Sequence, residues 1–334
     1  MDNSSIVKTV IRLLSADNRW EKAYSEYADN ILNPKQQTRY FRGARQFRLP
    51  KPMYAYSSIS MAGNTMNYDI RVYGQSVGTI SVKDDGVKLT VSEEKKNRIE
   101  TYFKLPSFEV PKGTDWKTDS LSKDFRALFR GKVFGRLKSE EHRIENFLLA
   151  EFAKRGLCDG KQLGYIQPVK FNKCFFQLTT PIKASNHKKG PSFSMSKKGG
   201  ATGGGIDIMA RITHNDGKSK LAIIELKDEN KKGESQNQVM QQALSYATFV
   251  AYLLRSKSAD NWWKIFGYSG PIPKSLDLDV ISLMPKGDSE EGNLSPIPIK
   301  ELSVKLNPYT LYYELDSDGI IRGFEGTLLN NIRH

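Results

Sequence analysis

Residues 206–227 constrain the fold more tightly than any other part of the chain. IDIMARIT (206–213) and KLAIIELK (220–227) are apolar runs of strand length, and the segment between them contains Asn215-Asp216-Gly217. A loop of this kind, with Gly able to take the left-handed position, closes an antiparallel hairpin. With residue 216 at its centre, paired residues sum to 432, which sets Asp207 opposite Glu225. Directly opposed side chains project to one face of a sheet. Glu225 and Lys227 are two residues apart on a strand and share that face. Two carboxylates and one ammonium are therefore expected on one small surface. The run Leu221–Ile224 is uninterrupted, as in a strand buried on both sides, and charge at the end of such a strand is costly unless it serves a purpose.

Charge supplies the second constraint. Over 334 residues, 51 Lys and Arg face 37 Asp and Glu, a net +14, which points to a polyanionic partner. The excess is local. Between Gly160 and Ile206 there is no acid, while Lys188, Lys189, Lys197 and Lys198 crowd a loop rich in glycine and serine (185–205). A second acid-free stretch, from Asn30 to Tyr68, carries Arg39, Arg42, Arg45 and Arg48 at three-residue spacing, interleaved with Tyr40, Phe41 and Phe47. Basic side chains contact phosphates and aromatics stack on bases, so these eight residues are the nucleic-acid-binding candidates. Solvated surface charge is the plainer alternative. Two scattered cysteines, Cys158 and Cys174, exclude a disulfide scaffold and fit a reducing cytoplasm. The longest apolar stretch, near Tyr246–Leu254, is too short to span a bilayer, and no secretion signal is legible at the N-terminus.

The remaining pattern is mixed. Residues 1–33 have helical spacing, and 67–92 alternate as a small antiparallel meander. The segment 107–120 is poor in apolar residues, which places a boundary near residue 125. Two domains follow: an accessory α+β domain over 1–125, concerned with nucleic-acid or partner recognition, and a larger one over 126–334. The second reads helix (139–155, with Ile144, Phe147, Leu148 and Phe152 on one face), strands at 164–171 and 173–182, the basic loop, the hairpin, a helix over about 235–254, and strands at 276–284 and 310–316. This is an α/β class with hairpin pairing, a mixed sheet flanked by helices. His142 and His214 read as surface residues; Trp262 and Trp263 read as packing.

Opposed carboxylates repel unless a cation lies between them. A hard divalent ion such as Mg2+, with Mn2+ as a substitute, takes oxygen ligands and also binds phosphate oxygens, which suits phosphodiester hydrolysis. A cross-strand salt bridge on an exposed face is the competing account. GGGIDIMARI, the spacing from Asp207 to Glu225, and IIELK together resemble the PD-(D/E)XK nuclease superfamily, over roughly residues 138–285. Gln242 and Tyr246, four apart on the following helix, are similar to the QxxxY motif of its RecB-like branch. The proline of the family name is absent, since Gly205-Ile206 precedes Asp207.

The resemblance implies a restriction-endonuclease-like core. It makes Asp207 and Glu225 metal ligands, with the Leu226 carbonyl helping, and Lys227 the catalytic lysine. It also implies an acid on the helix before the sheet, Glu141 or Glu145, with Glu145 preferred because it flanks the apolar face at Ile144. Gln242 and Tyr246 would line the site, although Tyr246 can equally be core packing. The glycines at 199–200 and 203–205 either let backbone approach a phosphate or make a flexible loop. The expected activity is Mg2+-dependent hydrolysis of DNA, in restriction, defence or repair, with RNA left open. A homodimer is compatible with it, because many double-strand cutters of the superfamily pair their sites. The alternative is a nucleic-acid-binding protein that keeps the nuclease fold without catalysis.

Overall fold

The computed structural model describes residues 2–47, 49–58, 65–132, 140–153, 163–171, 173–187, 190–196, 200–229, 234–287, 292–317 and 321–332. In chain order the helices are α1 (Asn3–Ala16), α2 (Arg19–Leu32), α3 (Pro34–Gln46), α4 (Glu93–Thr101), α5 (Ser120–Phe129), α6 (Glu140–Ala153), α7 (Gln236–Leu253) and α8 (Ala259–Ile265). The strands are β1 (Met53–Ser58), β2 (Met66–Val72), β3 (Gln75–Lys83), β4 (Gly86–Thr90), β5 (Ile166–Pro168), β6 (Lys170–Phe171), β7 (Cys174–Gln177), β8 (Ile182–His187), β9 (Gly190–Met195), β10 (Ile208–Thr213), β11 (Ser219–Leu226), β12 (Leu276–Pro285), β13 (Ile297–Ile299), β14 (Val304–Leu315) and β15 (Ile321–Glu325). The class is mixed α/β, and no helix among the described residues is long and apolar enough to cross a membrane.

The chain forms two compact units, one of residues 1–28, 148–169 and 177–334, the other of 29–147 and 170–176. The division differs from a cut near residue 125. In the second unit Trp116, Phe125 and Phe129 are fully buried. Phe125 lies under Gly78 of β3, and Trp116 donates its indole N–H to the Gln46 carbonyl at 3.2 Å. A segment with few apolar residues is thus anchored by a few large ones, which a count of apolar residues does not register. The same unit holds a six-stranded sheet in the order β4-β3-β2-β1-β7-β6, which includes the expected meander. The basic stretch after residue 33 begins as a helix, α3. Asn33 caps it through Lys35 N–H and Pro34 opens it, where a missing N–H costs nothing.

The first unit is built on a seven-stranded mixed sheet, β13-β14-β12-β11-β10-β5, with β15 beside β14. β11, β12 and β14 run parallel, while β10 returns antiparallel to β11. Parallel neighbours need a crossover, and α7 supplies it between β11 and β12. Ser235 and Gln238 cap α7 reciprocally, each satisfying a backbone N–H of the other. The helix is buried nearly all round because the sheet lies on one side and α1 on another. Trp20 and Tyr24 of α2 meet Phe249 of α7 edge-on, with ring centroids 5.6 and 4.8 Å apart. Burying each such ring is worth about 1.5–3 kcal/mol. The first 28 residues are therefore core of the unit that carries the hairpin, not part of an N-terminal accessory domain. Trp262 is packing as expected, donating its indole N–H to the Tyr24 carbonyl at 3.2 Å. The segment read as a loop at 185–205 contains a hairpin instead, β8 with β9.

Candidate active site

The hairpin register is the expected one. Ile208 pairs with Ile224 and Thr213 with Ser219, both summing to 432, and Gly217 takes the left-handed φ of 78° in the loop. The ladder ends one residue short of the acid. At Asp207 the chain turns away, with Ile206 N–H bonded to the Leu178 carbonyl at 3.0 Å. The Asp207 side chain continues the pairing in place of backbone: its Oδ2 accepts the Leu226 N–H at 2.8 Å. An acid directly after the turn holds its carboxylate at the end of β11, beside Glu225.

Glu225 is nearly buried, 2% exposed, and sits beside Ser282 of the parallel neighbour β12. Ser282 Oγ accepts from the Gln236 amide of α7 at 2.9 Å, so α7 covers the face to which Glu225 projects. Lys227 Nζ lies 3.4 Å from Glu225 Oε1 and 4.0 Å from Glu234 Oε2. Lys227 is fixed through its main chain as well: its N–H bonds the Leu283 carbonyl at 3.0 Å, and its carbonyl accepts the Tyr313 hydroxyl at 3.0 Å. Glu234 and Tyr313 belong to the site but not to the motif. Glu234 adjoins the Ser235 cap, a signal that was legible in the sequence; Tyr313 reaches Lys227 only through the tertiary fold.

Gln242 and Tyr246 share one face of α7, and the Gln242 amide donates to the Tyr246 hydroxyl at 3.4 Å. Burial pushes the Tyr246 hydroxyl well above its ordinary pKa, and Glu225 and Asp207 add to the rise, against the Gln242 hydrogen bond and Lys227. Tyr246 therefore feels both carboxylates and the lysine, and it remains a protonated donor at neutral pH. Gly204 explains how it fits: a Cβ there would overlap the Tyr246 hydroxyl. At Gly203 a Cβ would overlap the Ile182 carbonyl. These two glycines serve close packing inside the protein, a role distinct from both phosphate approach and loop flexibility.

Other expected residues have partners of their own. Glu145 belongs to the second unit, where it is 2% exposed. There His142 Nδ1 lies 3.3 Å from its Oε2 and Arg71 lies 3.9 Å from its Oε1. Arg71 also pairs with Asp69 at 2.7 Å, and Lys95 reaches Asp69 at 3.1 Å, so Glu145 is one member of a buried ion network. Glu141 is half-buried on the same helix. Arg39 is buried and grips Asp84 with two nitrogens, at 3.0 and 3.3 Å. Arg42 bonds the Lys83 and Asp84 carbonyls at 2.7 and 2.9 Å. These two clamp the β3–β4 turn rather than offering guanidinium groups to a phosphate. Arg45 lies over the exposed Phe41 ring at 4.3 Å. Arg48, Lys188, Lys189, Lys197 and Lys198 lie outside the described residues. His214, expected at the surface, is buried and bonds Asp279 Oδ2 at 2.6 Å.

Asp207, Glu225 and the Leu226 carbonyl make an all-oxygen donor set. Among the described residues no group of three or more His, Cys, Asp or Glu side chains is placed to hold a metal ion. Magnesium bound by one or two carboxylates completes its shell with water and phosphate oxygens, so the donors present fit that ion and would suit a zinc-type closed site poorly. Comparison with protein-family models, curated proteins and solved structures returned no match.

Proposed function

We propose that the chain is a metal-dependent nuclease that hydrolyses DNA phosphodiester bonds, on a restriction-endonuclease-like core of the PD-(D/E)XK kind. One observation carries this reading: Asp207, held by the Leu226 N–H, stands at the end of the same strand as Glu225 and Lys227, with the protonated Tyr246 in their field. Asp207, Glu225 and the Leu226 carbonyl would hold Mg2+, or Mn2+ in its place. The bound ion supplies charge neutralisation at the phosphate and a more acidic water.

The chain's own groups do the rest. Lys227, bracketed by Glu225 and Glu234, presents an ammonium that orients the attacking water or a phosphate oxygen. Tyr246 donates its O–H into the site, and Gln242 fixes the direction of that hydroxyl. The positive balance of the chain, +14, attracts the polyanion. The test is incubation of the full chain with circular and linear DNA and Mg2+ or Mn2+. Loss of the circular form reports internal cleavage, and loss confined to linear DNA reports attack from ends. Cleavage by the Asp207→Ala protein at the wild-type rate would overturn the assignment.

A second reading is favoured by the pairing of Lys227 with Glu225, which lets the cluster stand without an ion. On that reading the chain binds nucleic acid and does not cut it. Salt-dependent DNA binding with no cleavage under either cation would select it.

A further inference from the structure

We infer that the recess where β12 and β14 begin is a phosphate-binding site, separate from the carboxylate cluster. The recess has a volume of about 420 Å³ and is lined by Lys274, Ser275, Pro298, Lys300, Ser303 and Lys305 among others. No acid lines it. Asp277, two residues beyond Ser275, is engaged by Lys305 at 3.3 Å and by Lys220 at 4.0 Å. Glu301, next to Lys300, faces a different recess with Lys8 and Arg12 of α1. Three lysines and two serines around one hollow supply the donor types a phosphate takes, with lysine acting as a point charge.

The recess is built, not merely a meeting of surface side chains. Arg255 ties its two loops together, donating to the carbonyls of Leu302 at 2.8 Å and of Pro273 and Lys274 at 3.0 Å, which satisfies the loop backbone. Ser303 takes a left-handed conformation, φ 51°, where it ends the short turn Lys300–Leu302, and this fixes the path of the loop. The parallel register of β11, β12 and β14 puts this recess at the opposite end of the sheet from Glu225. At about 3.3 Å per residue, the run from Leu276 to Leu283 separates them by roughly 23 Å.

A phosphate reaches such a site either on a free nucleotide or within a nucleic-acid strand. The experiment uses the full-length protein and a Lys274→Gln/Lys300→Gln variant, since neither lysine has an ion-pair partner among the described residues. Three probes are titrated: inorganic phosphate, AMP, and a fluorescent single-stranded DNA oligonucleotide. We expect the variant to bind the oligonucleotide about tenfold more weakly, with a salt slope smaller by roughly 1.4. Loss of phosphate and AMP binding as well identifies free nucleotides as the source; loss confined to the oligonucleotide identifies the strand. Equal binding of every probe by both proteins, or binding of none by the wild type, overturns the site. All three titrations are made without a divalent cation, which the nuclease reading requires and this site does not, so failure of the nuclease reading leaves the result independent.

Discussion

At the end of the sheet where β11 and β12 finish, charged groups are held but not closed off. Asp207 takes one backbone N–H, Lys227 lies between two glutamates, and Tyr246 keeps its proton nearby. Toward the other end, His214 and Asp279 meet at 2.6 Å with almost no exposure, and the three lysines of the recess stand outside them. A buried pair shut away from solvent contributes to the integrity of the fold and is not open to a ligand. A cluster with several groups of one sign and a partly open flank is suited to binding an ion or a substrate. The same sheet thus separates buried paired charge from partly open charge by position.

The strongest way to break this comparison is at the carboxylates. Asp207→Ala, Glu225→Ala and Lys227→Ala should each reduce Mg2+-dependent cleavage by at least about a thousandfold, roughly 4 kcal/mol of barrier, with an unchanged circular dichroism spectrum. His214→Ala should act in the opposite sense. It should leave cleavage near the wild-type rate and lower unfolding free energy by about 3–5 kcal/mol in urea, because Asp279 is left buried and alone. A wild-type denaturation midpoint would show that the pair is dispensable.

Gly204→Ala tests the packing between these extremes. The new methyl must displace Tyr246, so a loss of about 1–3 kcal/mol is expected, together with reduced cleavage. Stability loss with full activity would separate Tyr246 from the chemistry. The smallest effect belongs to His142 in the second unit. Its hydrogen bond to Glu145 raises its pKa above the ordinary 6.5. The stabilisation is therefore complete below the unfolded value and is lost as pH rises through the folded value. The His142→Gln variant should show a flatter stability profile across that window, and an identical profile would dismiss the pair.

Much of the site was legible because it is local. Strand side chains alternate with a period of two, and a glycine-bearing loop fixes register, so Asp207, Glu225 and Lys227 could be related from spacing alone. The Ser235 cap and the four-residue step from Gln242 to Tyr246 are equally local. Long-range partners were not legible. Arg39 and Arg42 look like phosphate contacts until Asp84 and its carbonyl are brought across from the β3–β4 turn. Glu145 flanks an apolar helix face and has His142 one turn before it, but its other neighbour, Arg71, depends on how β2 packs. His214 has no apolar signature that would announce burial; Asp279, on a strand far along the chain, provides it.

By itself the sequence determined the hairpin, its register, the helix after it and the uneven distribution of charge, since turn chemistry and side-chain periodicity act over a few residues. Only the tertiary structure decided that residues 1–28 join the hairpin's unit, that Gly203 and Gly204 serve close packing, and which charges are paired internally. Those outcomes depend on which distant segments come within a few ångströms, and desolvation and ion pairing are set by that proximity rather than by residue type.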